Sequence, residues 1–222
     1  MLEADELISK AIMLDPVNPA ILQFYANRLG TAGHVKEGLK LLETAHAVDP
    51  FSPGPAVPLV EERWLNGQND DAIALAKTLA PRLRAPLLAI IHASQGRFVD
   101  AAEALNELKD DPLAVQAAEL LRSAPAKTAA TNNLPRFGGA FEWVYLYTSA
   151  PDRALDNYQR RADANYFGSP NSARVWHPSY APLRKTTRFK ELMKKAGMVD
   201  YWRAKGWPDL CRPMGTDDFV CD

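Results

Sequence analysis

Apolar residues recur along the first half of the chain at the three- and four-residue spacing of an amphipathic helix. Leu2, Leu7, Ile8, Ala11 and Leu14 form one stripe, and Ile21, Leu22, Tyr25, Ala26 and Leu29 a second. Val35, Leu39, Leu42, Ala45, His46 and Val48 form a third. Asn18-Pro19 supplies a cap and a first-turn proline for the second stripe, and Gly30 with Gly33 ends it. Small residues at Ala26, Gly38 and Ala45 would let two helix backbones approach closely. In PFSPGPAVPLVEERWL, Pro53, Pro55 and Pro58 predict a short helix that starts near Pro55, because proline is tolerated only before the interior hydrogen bonds begin. Asp70 or Asp71 opens the next helix, IALAKTLA. RAPLLAIIHASQGRFVDAAEALNEL reads as helix, glycine turn at Gly96, helix, and DPLAVQAAELLRS as one more. No run alternates with period two for long enough to suggest a sheet, so the expected fold class is all-α.

The pattern changes after residue 123. Residues 124–137 read as a loop or weak helix with a turn at Asn132-Asn133. AFEWVYLYTSA and PDRALDNYQRRADANYF read as a further helical hairpin joined at Ser149 to Pro151. FGSPNSARVWHPSYAPLR holds too many Pro and Ser residues for a helix. RFKELMKKAG is a short helix with Phe189, Leu192 and Met193 inward and Gly197 as its stop. VDYWRAKG is another, and the tail that follows reads as irregular. The expected organisation is therefore a repeat region over residues 1–123 and a helical hairpin with a capping segment over 124–222.

The helices of the first region carry a period. Asp15-Pro16 returns as Asp49-Pro50 after 34 residues, and in that register Ala11 falls on Ala45, Ile8 on Leu42 and Ala4 on Gly38. Gly33 and Gly38 return as Gly67 and Ala72, whereas Gly96 follows Gly67 by only 29 residues. A fixed period of this size marks a helical repeat array. Ala26, Gly33, Gly38, Leu42, Ala45 and Pro50 together resemble the tetratricopeptide repeat, well over residues 4–50 and fairly to about 110. The shortened third unit departs from that family. The resemblance implies a superhelix of helical hairpins whose first helices point polar side chains into a concave groove. Here it nominates Gln23, Asn27, Glu61 and Glu62, with Trp64. Members that clamp a C-terminal carboxylate use Lys, Arg and Asn there. With Asn27 but acids in the next first helix, this chain is expected to take a basic or neutral partner. Residues 2–14 fall in the phase of a second helix without its first, which predicts an uncovered face and either a truncated chain or a further domain upstream in the natural protein.

A second resemblance lies at the other end. Trp176, Pro178, Pro182-Leu183-Arg184, Arg188-Phe189, Tyr201-Trp202 and Trp207-Pro208 are similar to the closing segment of many bacterial multi-domain regulators. In those, a repeat region follows a nucleotide cyclase-like or winged-helix domain. Thr186-Thr187 stands where that family reads Asp-Pro. The resemblance implies, as an alternative function, the C-terminal regulatory region of such a protein.

Composition narrows the rest. Of 222 residues, 47% are hydrophobic and 24% charged, the balance of a globular protein, and the formal net charge is -1. That neutrality divides into about -6 for residues 1–123 and about +5 for the remainder. Nine basic residues between Arg174 and Lys205, interleaved with Phe189, Tyr201 and Trp202, could form a nucleic-acid patch. Their helical spacing favours the solvated face of short amphipathic helices instead. No secretory signal or apolar run of about 20 residues is present, and cytoplasm is the expected location. Cys211 and Cys221, both in the tail, enclose nine residues; a disulfide or redox pair would need both thiols to meet there, and in a reducing cytoplasm free thiols are the expectation. No phosphate loop, dinucleotide fingerprint, nucleophile elbow or paired zinc motif occurs. His34, His46, His92 and His177 lie far apart; His46 and His92 are expected to pack and His177 to cap a turn. The sequence thus predicts a non-catalytic scaffold for protein–protein or interdomain contact, with no catalytic, cofactor or metal site. Its expected partner is a protein, a peptide or another domain of its parent, without a membrane role.

Overall fold

The computed structural model of the protein describes residues 2–125, 134–164, 167, 170–216 and 218–222. The turn expected at Asn132-Asn133 lies outside these residues. In chain order the helices are α1 (Leu2–Leu14), α2 (Pro19–Ala32), α3 (Val35–Val48) and α4 (Pro53–Leu65). There follow α5 (Asn69–Ala76), α6 (Pro81–Ser94), α7 (Phe98–Leu105), α8 (Pro112–Arg122) and α9 (Pro151–Asp163). The last three are α10 (Ala181–Arg184), α11 (Thr187–Lys195) and α12 (Met198–Lys205). Short 3₁₀ segments cover Asn106–Leu108, Glu142–Tyr147, Pro170–Trp176 and Pro178–Tyr180. The all-α class holds, with one small departure. A hairpin of β1 (Cys211–Met214) and β2 (Asp218–Cys221) stands where the sequence suggested an irregular tail.

Two compact units result, Met1–Gln68 with Arg161–Asp222, and Asn69–Arg160. The boundary expected at residue 123 falls within the second of these units. The cause is that the C-terminal segment packs onto α1–α4, which a linear reading of composition cannot show.

The first unit begins with helices whose ends follow their residues. Asn18 Oδ1 accepts from Ala20 N and Ile21 N at 3.1 and 3.2 Å, and Pro19 takes the first turn. Gly33 closes α2 at φ +92°, the left-handed region where glycine carries no Cβ penalty. Ala26, Gly38 and Ala45 are all buried where α2 and α3 meet, and a Cβ on Gly38 would lie 3.2 Å from the Ala26 carbonyl oxygen. Helix α4 starts at Pro53, earlier than expected, because Ser52 Oγ caps Gly54 N at 3.3 Å. Backbone N–H groups in a first turn have no partner within the helix, so Pro53 and Pro55 remove nothing. Only Pro58 deletes an interior bond, the one its N–H would have given to the Gly54 carbonyl.

The apolar stripe of α1 stays largely uncovered. Ile8 is buried, yet Leu7 and Leu14 are 61% and 88% exposed. The helix is held instead through Asp5, which accepts from Arg28 Nε at 3.0 Å and from the Tyr201 hydroxyl at 2.6 Å. Two indoles fasten the C-terminal segment to the turn after α2. Trp176 Nε1 donates to the Thr31 carbonyl at 3.1 Å and Trp202 Nε1 to the Ala32 carbonyl at 2.8 Å. Trp176, Trp202, Trp207, Phe189 and Phe219 form a connected aromatic cluster beneath α11, α12 and the hairpin. As expected, Phe189, Leu192 and Met193 point inward, and Gly197 (φ +69°) separates α11 from α12.

The antiparallel register sets Cys211 opposite Cys221, with Cα atoms 4.1 Å apart, and the two form a disulfide. This corrects the expectation of free thiols: the hairpin brings together residues that an irregular tail would have left apart.

In the second unit, α6, Gly96 (φ +75°) and α7 form the expected helical pair. Asp111 Oδ1 caps α8 through Leu113 N and Ala114 N at 2.9 and 3.3 Å. Alanines dominate the buried faces of α7 and α8 (Ala101, Ala102, Ala114, Ala117, Ala118), and so allow close helix approach. The stretch expected as the first helix of a further hairpin is 3₁₀ rather than α over Glu142–Tyr147. There Trp143 Nε1 turns back to the Ala140 carbonyl at 2.7 Å. The Tyr145 hydroxyl bridges Pro135 O and Phe137 N at 2.6 and 2.8 Å.

Candidate functional site: the cavity between α2 and α4

Gln23 and Asn27 lie one turn apart on α2. Gly54, Val57, Pro58, Glu61 and Glu62 fall at three- and four-residue steps along one face of α4. The 3₁₀ segment Pro170–Trp176 brings Ala173 against the same place, and together these residues enclose a cavity of about 190 Å³. Four of the five residues that the repeat resemblance nominated therefore meet at one site. Gln23, Asn27 and Glu61 are half-buried at its rim; Glu62 is buried within.

Trp64 is the exception, and its nomination is corrected. Its indole is 1% exposed and stacks on the His177 imidazole, ring centroids 4.0 Å apart and planes 12° from parallel. The large apolar ring on α4 is taken up by the C-terminal segment, leaving the smaller side chains to line the cavity. His177 caps the turn after it, its Nδ1 accepting from Ser179 N at 3.1 Å. Burial, with the Arg184 cation nearby, lowers its pKa to about 3, so the ring stays neutral.

The two glutamates have different environments. Glu61 pairs with Arg174, whose guanidinium is almost wholly buried and donates to Oε1 through Nε at 3.2 Å and through Nη2. The groove therefore already holds a basic side chain, supplied 113 residues along the same chain. Glu62 has no such partner. Its Oε2 is buried without a hydrogen bond. Its pKa is pushed well above the ordinary carboxyl value, first by burial and then by the Glu61 and Asp209 charges. Two glycines make its room: a Cβ on Gly30 would fall on Glu62 Oε1, and one on Gly38 would lie 3.4 Å from it.

Arg174, Ala173, Gly54, Val57 and Pro58 were not foreseen. Helical periodicity finds which face of α2 or α4 is polar, but nothing local to Arg174 says that Glu61 is its partner. The basic stretch from Arg174 to Lys205 is largely committed to the protein itself. Arg174, Lys190, Lys195 and Arg203 are in ion pairs with Glu61, Asp218, Asp163 and Asp200. Arg184 is buried and donates to the carbonyls of Val175, His177 and Asp222 at 2.7, 2.8 and 2.9 Å. Among the described residues no group of three or more His, Cys, Asp or Glu side chains is placed to hold a metal ion, and no helix is long and apolar enough to cross a membrane.

In comparisons with known proteins, no family model, no curated protein and no solved structure matches the chain.

Proposed function

We propose that the protein is a non-catalytic helical-repeat scaffold, tetratricopeptide-like in its first helices, whose α2–α4 groove takes a basic segment of another protein or domain. The observation that carries this reading is the convergence of Gln23, Asn27, Glu61 and Glu62 on one open cavity, with an arginine lodged against Glu61. A buried guanidinium is retained only where a carboxylate and further acceptors repay its desolvation. A groove that holds one basic side chain and leaves a second carboxylate unpartnered is matched in charge to more of the same. The Gln23 and Asn27 amides at the rim add acceptors that suit lysine or arginine donors.

The test is fluorescence anisotropy of the whole chain with labelled Arg/Lys-rich and Asp/Glu-rich peptides of equal length. Basic peptides should bind more tightly. Changing both rim residues, Gln23→Arg with Asn27→Arg, should weaken them at least about tenfold, or about 1.4 kcal/mol. Both positions are half-exposed, so the fold should tolerate the change. Equal binding of the two peptide classes, or indifference to the double substitution, would remove the groove from the account.

The Cys211–Cys221 disulfide supports an oxidising compartment over the reducing cytoplasm as the place of work, since such bonds persist where glutathione and thioredoxin do not reduce them. Acid-trapped alkylation of the protein in its native cells should find both cysteines blocked until reductant is added. Free thiols in that assay would return the protein to the cytoplasm.

A further inference from the structure

The cavity between α2 and α4 has a chemical character of its own, apart from any protein segment that lies along the groove. One of its lining residues is Glu62, a side chain 3% exposed whose Oε2 is buried and without a partner. A buried acceptor left without a donor is destabilising, more so when charged. Here the surroundings are shaped to admit it, because Gly30 and Gly38 leave the space its carboxyl fills. Glycine inside a helix is destabilising relative to alanine. Two helices thus carry a weakening residue beside one unsatisfied carboxyl.

The remaining lining matches the carboxyl. Gln23 and Asn27 present amide groups from α2. On α4, Pro58 has no N–H, so the carbonyl of Gly54, itself a lining residue, lacks its usual donor four residues on. Val57, Pro58 and Ala173 supply apolar wall. The charged groups that face Glu62 are Glu61 beside it on α4, Asp209 from the segment after α12, and Arg174, which Glu61 already neutralises.

An anion would meet two further carboxylates. A divalent metal would find only one unpaired carboxylate in the cavity lining, since Glu61 is paired with Arg174 and Asp209 does not border the cavity. A volume of about 190 Å³ corresponds to roughly six waters at about 30 Å³ each, enough for a small organic head with a short alkyl stem.

We propose that this cavity is a binding site for an organic monocation, a primary ammonium or guanidinium head on a short alkyl chain, with Glu62 as its counter-carboxylate. The head pairs with the Glu62 carboxylate and donates to the Gln23 and Asn27 amide oxygens, and the stem lies on Val57, Pro58 and Ala173. Burial keeps the empty-site carboxyl protonated to higher pH than usual, and wherever it still holds its proton, binding of the cation expels that proton into solution. Two sources share this chemistry: a free amine or guanidine, and a lysine or arginine side chain of a docked partner. Only the second source rests on the proposed scaffold function.

The experiment is titration calorimetry of the whole chain, across a series of pH values from acid to neutral, with n-butylammonium, n-butylguanidinium and n-butanol. Each is run in two buffers of different ionisation enthalpy, which counts the protons released. The cations should bind at least about tenfold more tightly than the isosteric alcohol, with proton release. Glu62→Gln, which mimics the protonated acid, should reduce cation binding at least about tenfold and abolish the release. Val57→Phe, which fills the cavity from its half-exposed wall, should block binding with Glu62 intact and guards against a folding defect in the first variant. No binding at about 10 mM, corresponding to about -2.7 kcal/mol, overturns the site. So does equal affinity for n-butanol, or unchanged binding by Glu62→Gln. A last arm titrates a lysine-containing peptide. If the free cations bind and the peptide does not, the site stands with a small-molecule occupant and the scaffold reading falls; if both bind at Glu62, both stand.

Discussion

Glu62 makes a prediction about pH whose sign is fixed by its environment. Its folded-state pKa is raised, so the native protein binds a proton that the unfolded chain releases above its ordinary value near 4.5. The stability linked to this group is therefore fully present below that value and is lost as pH rises through the folded pKa, by up to about 1.4 kcal/mol per pH unit. Glu62→Gln should flatten that decline in a series of urea melts and leave the protein as stable as, or more stable than, the parent at neutral pH. A variant that keeps the slope would mean that another group carries it. His177 acts in the opposite direction. Its folded pKa lies near 3 against an ordinary 6.5, so its contribution is present above 6.5 and is lost as pH falls toward 3. His177→Phe, which can keep the stack on Trp64, should lessen acid unfolding in that window at the expense of the Ser179 cap. Gly33 is constrained twice. Its φ of +92° excludes other residues without strain, and a Cβ would lie 2.5 Å from Pro208 Cβ and 2.9 Å from the Trp176 ring. Strain of about 1–3 kcal/mol and overpacking of similar size should together make Gly33→Ala among the most damaging alanine substitutions, measured by thermal melts.

At the scale of elements, the caps and stripes were legible because their causes are local. Asn18-Pro19, Gly33, Gly96, Gly197 and the inward set on α11 are dictated by neighbours within a few residues. Helix α4 starts earlier than its prolines alone suggest, because the Ser52 hydroxyl cap fixes the first residue. The tail hairpin escaped notice because its strands are only four residues each, too short for a period of two to register. Its disulfide closes a loop that, in the chain-entropy account, is worth about 2–3 kcal/mol. Cys211→Ser with Cys221→Ser should lower stability by about that amount in urea melts. The hairpin buries Phe219 against Trp202 and Trp207, so the loss should be felt in tryptophan fluorescence as well as in the tail. Unchanged stability would show that the strands hold without the bond. The candidate cavity divides along the same line. Its α2 and α4 residues follow from helical phase, while Arg174 and Ala173 come from a stretch that composition marks only as non-helical.

The whole molecule depends on contacts that no local pattern announces. Asp5 meets Tyr201 across 196 positions, Trp202 reaches the Ala32 carbonyl across 170, and Trp176 reaches the Thr31 carbonyl across 145. These bonds close the first unit from the two ends of the chain, and each lies at a polar atom that the C-terminal segment shields from water. Loop closure over such lengths costs little more than over moderate ones, because the entropy grows only as the logarithm of length. What it does set is order: α1–α4 cannot acquire their full burial until residues 161–222 have arrived. A chain ended after Arg160 should therefore leave the Trp176 and Trp202 contact surfaces of α2 bare, along with the Thr31 and Ala32 carbonyls. Hydrogen exchange by mass spectrometry should find the amides of α1 and of the α2–α3 turn exchanging far faster than in the full chain. The single change Tyr201→Phe offers a finer version, since it removes one hydroxyl and leaves Asp5 buried with Arg28 alone. It should cost about 1–3 kcal/mol and accelerate exchange in α1 first. Protection in α1 and α2 that survives both changes would mean that the first helices are self-sufficient, and the C-terminal segment would then be a passenger on them and not their second half.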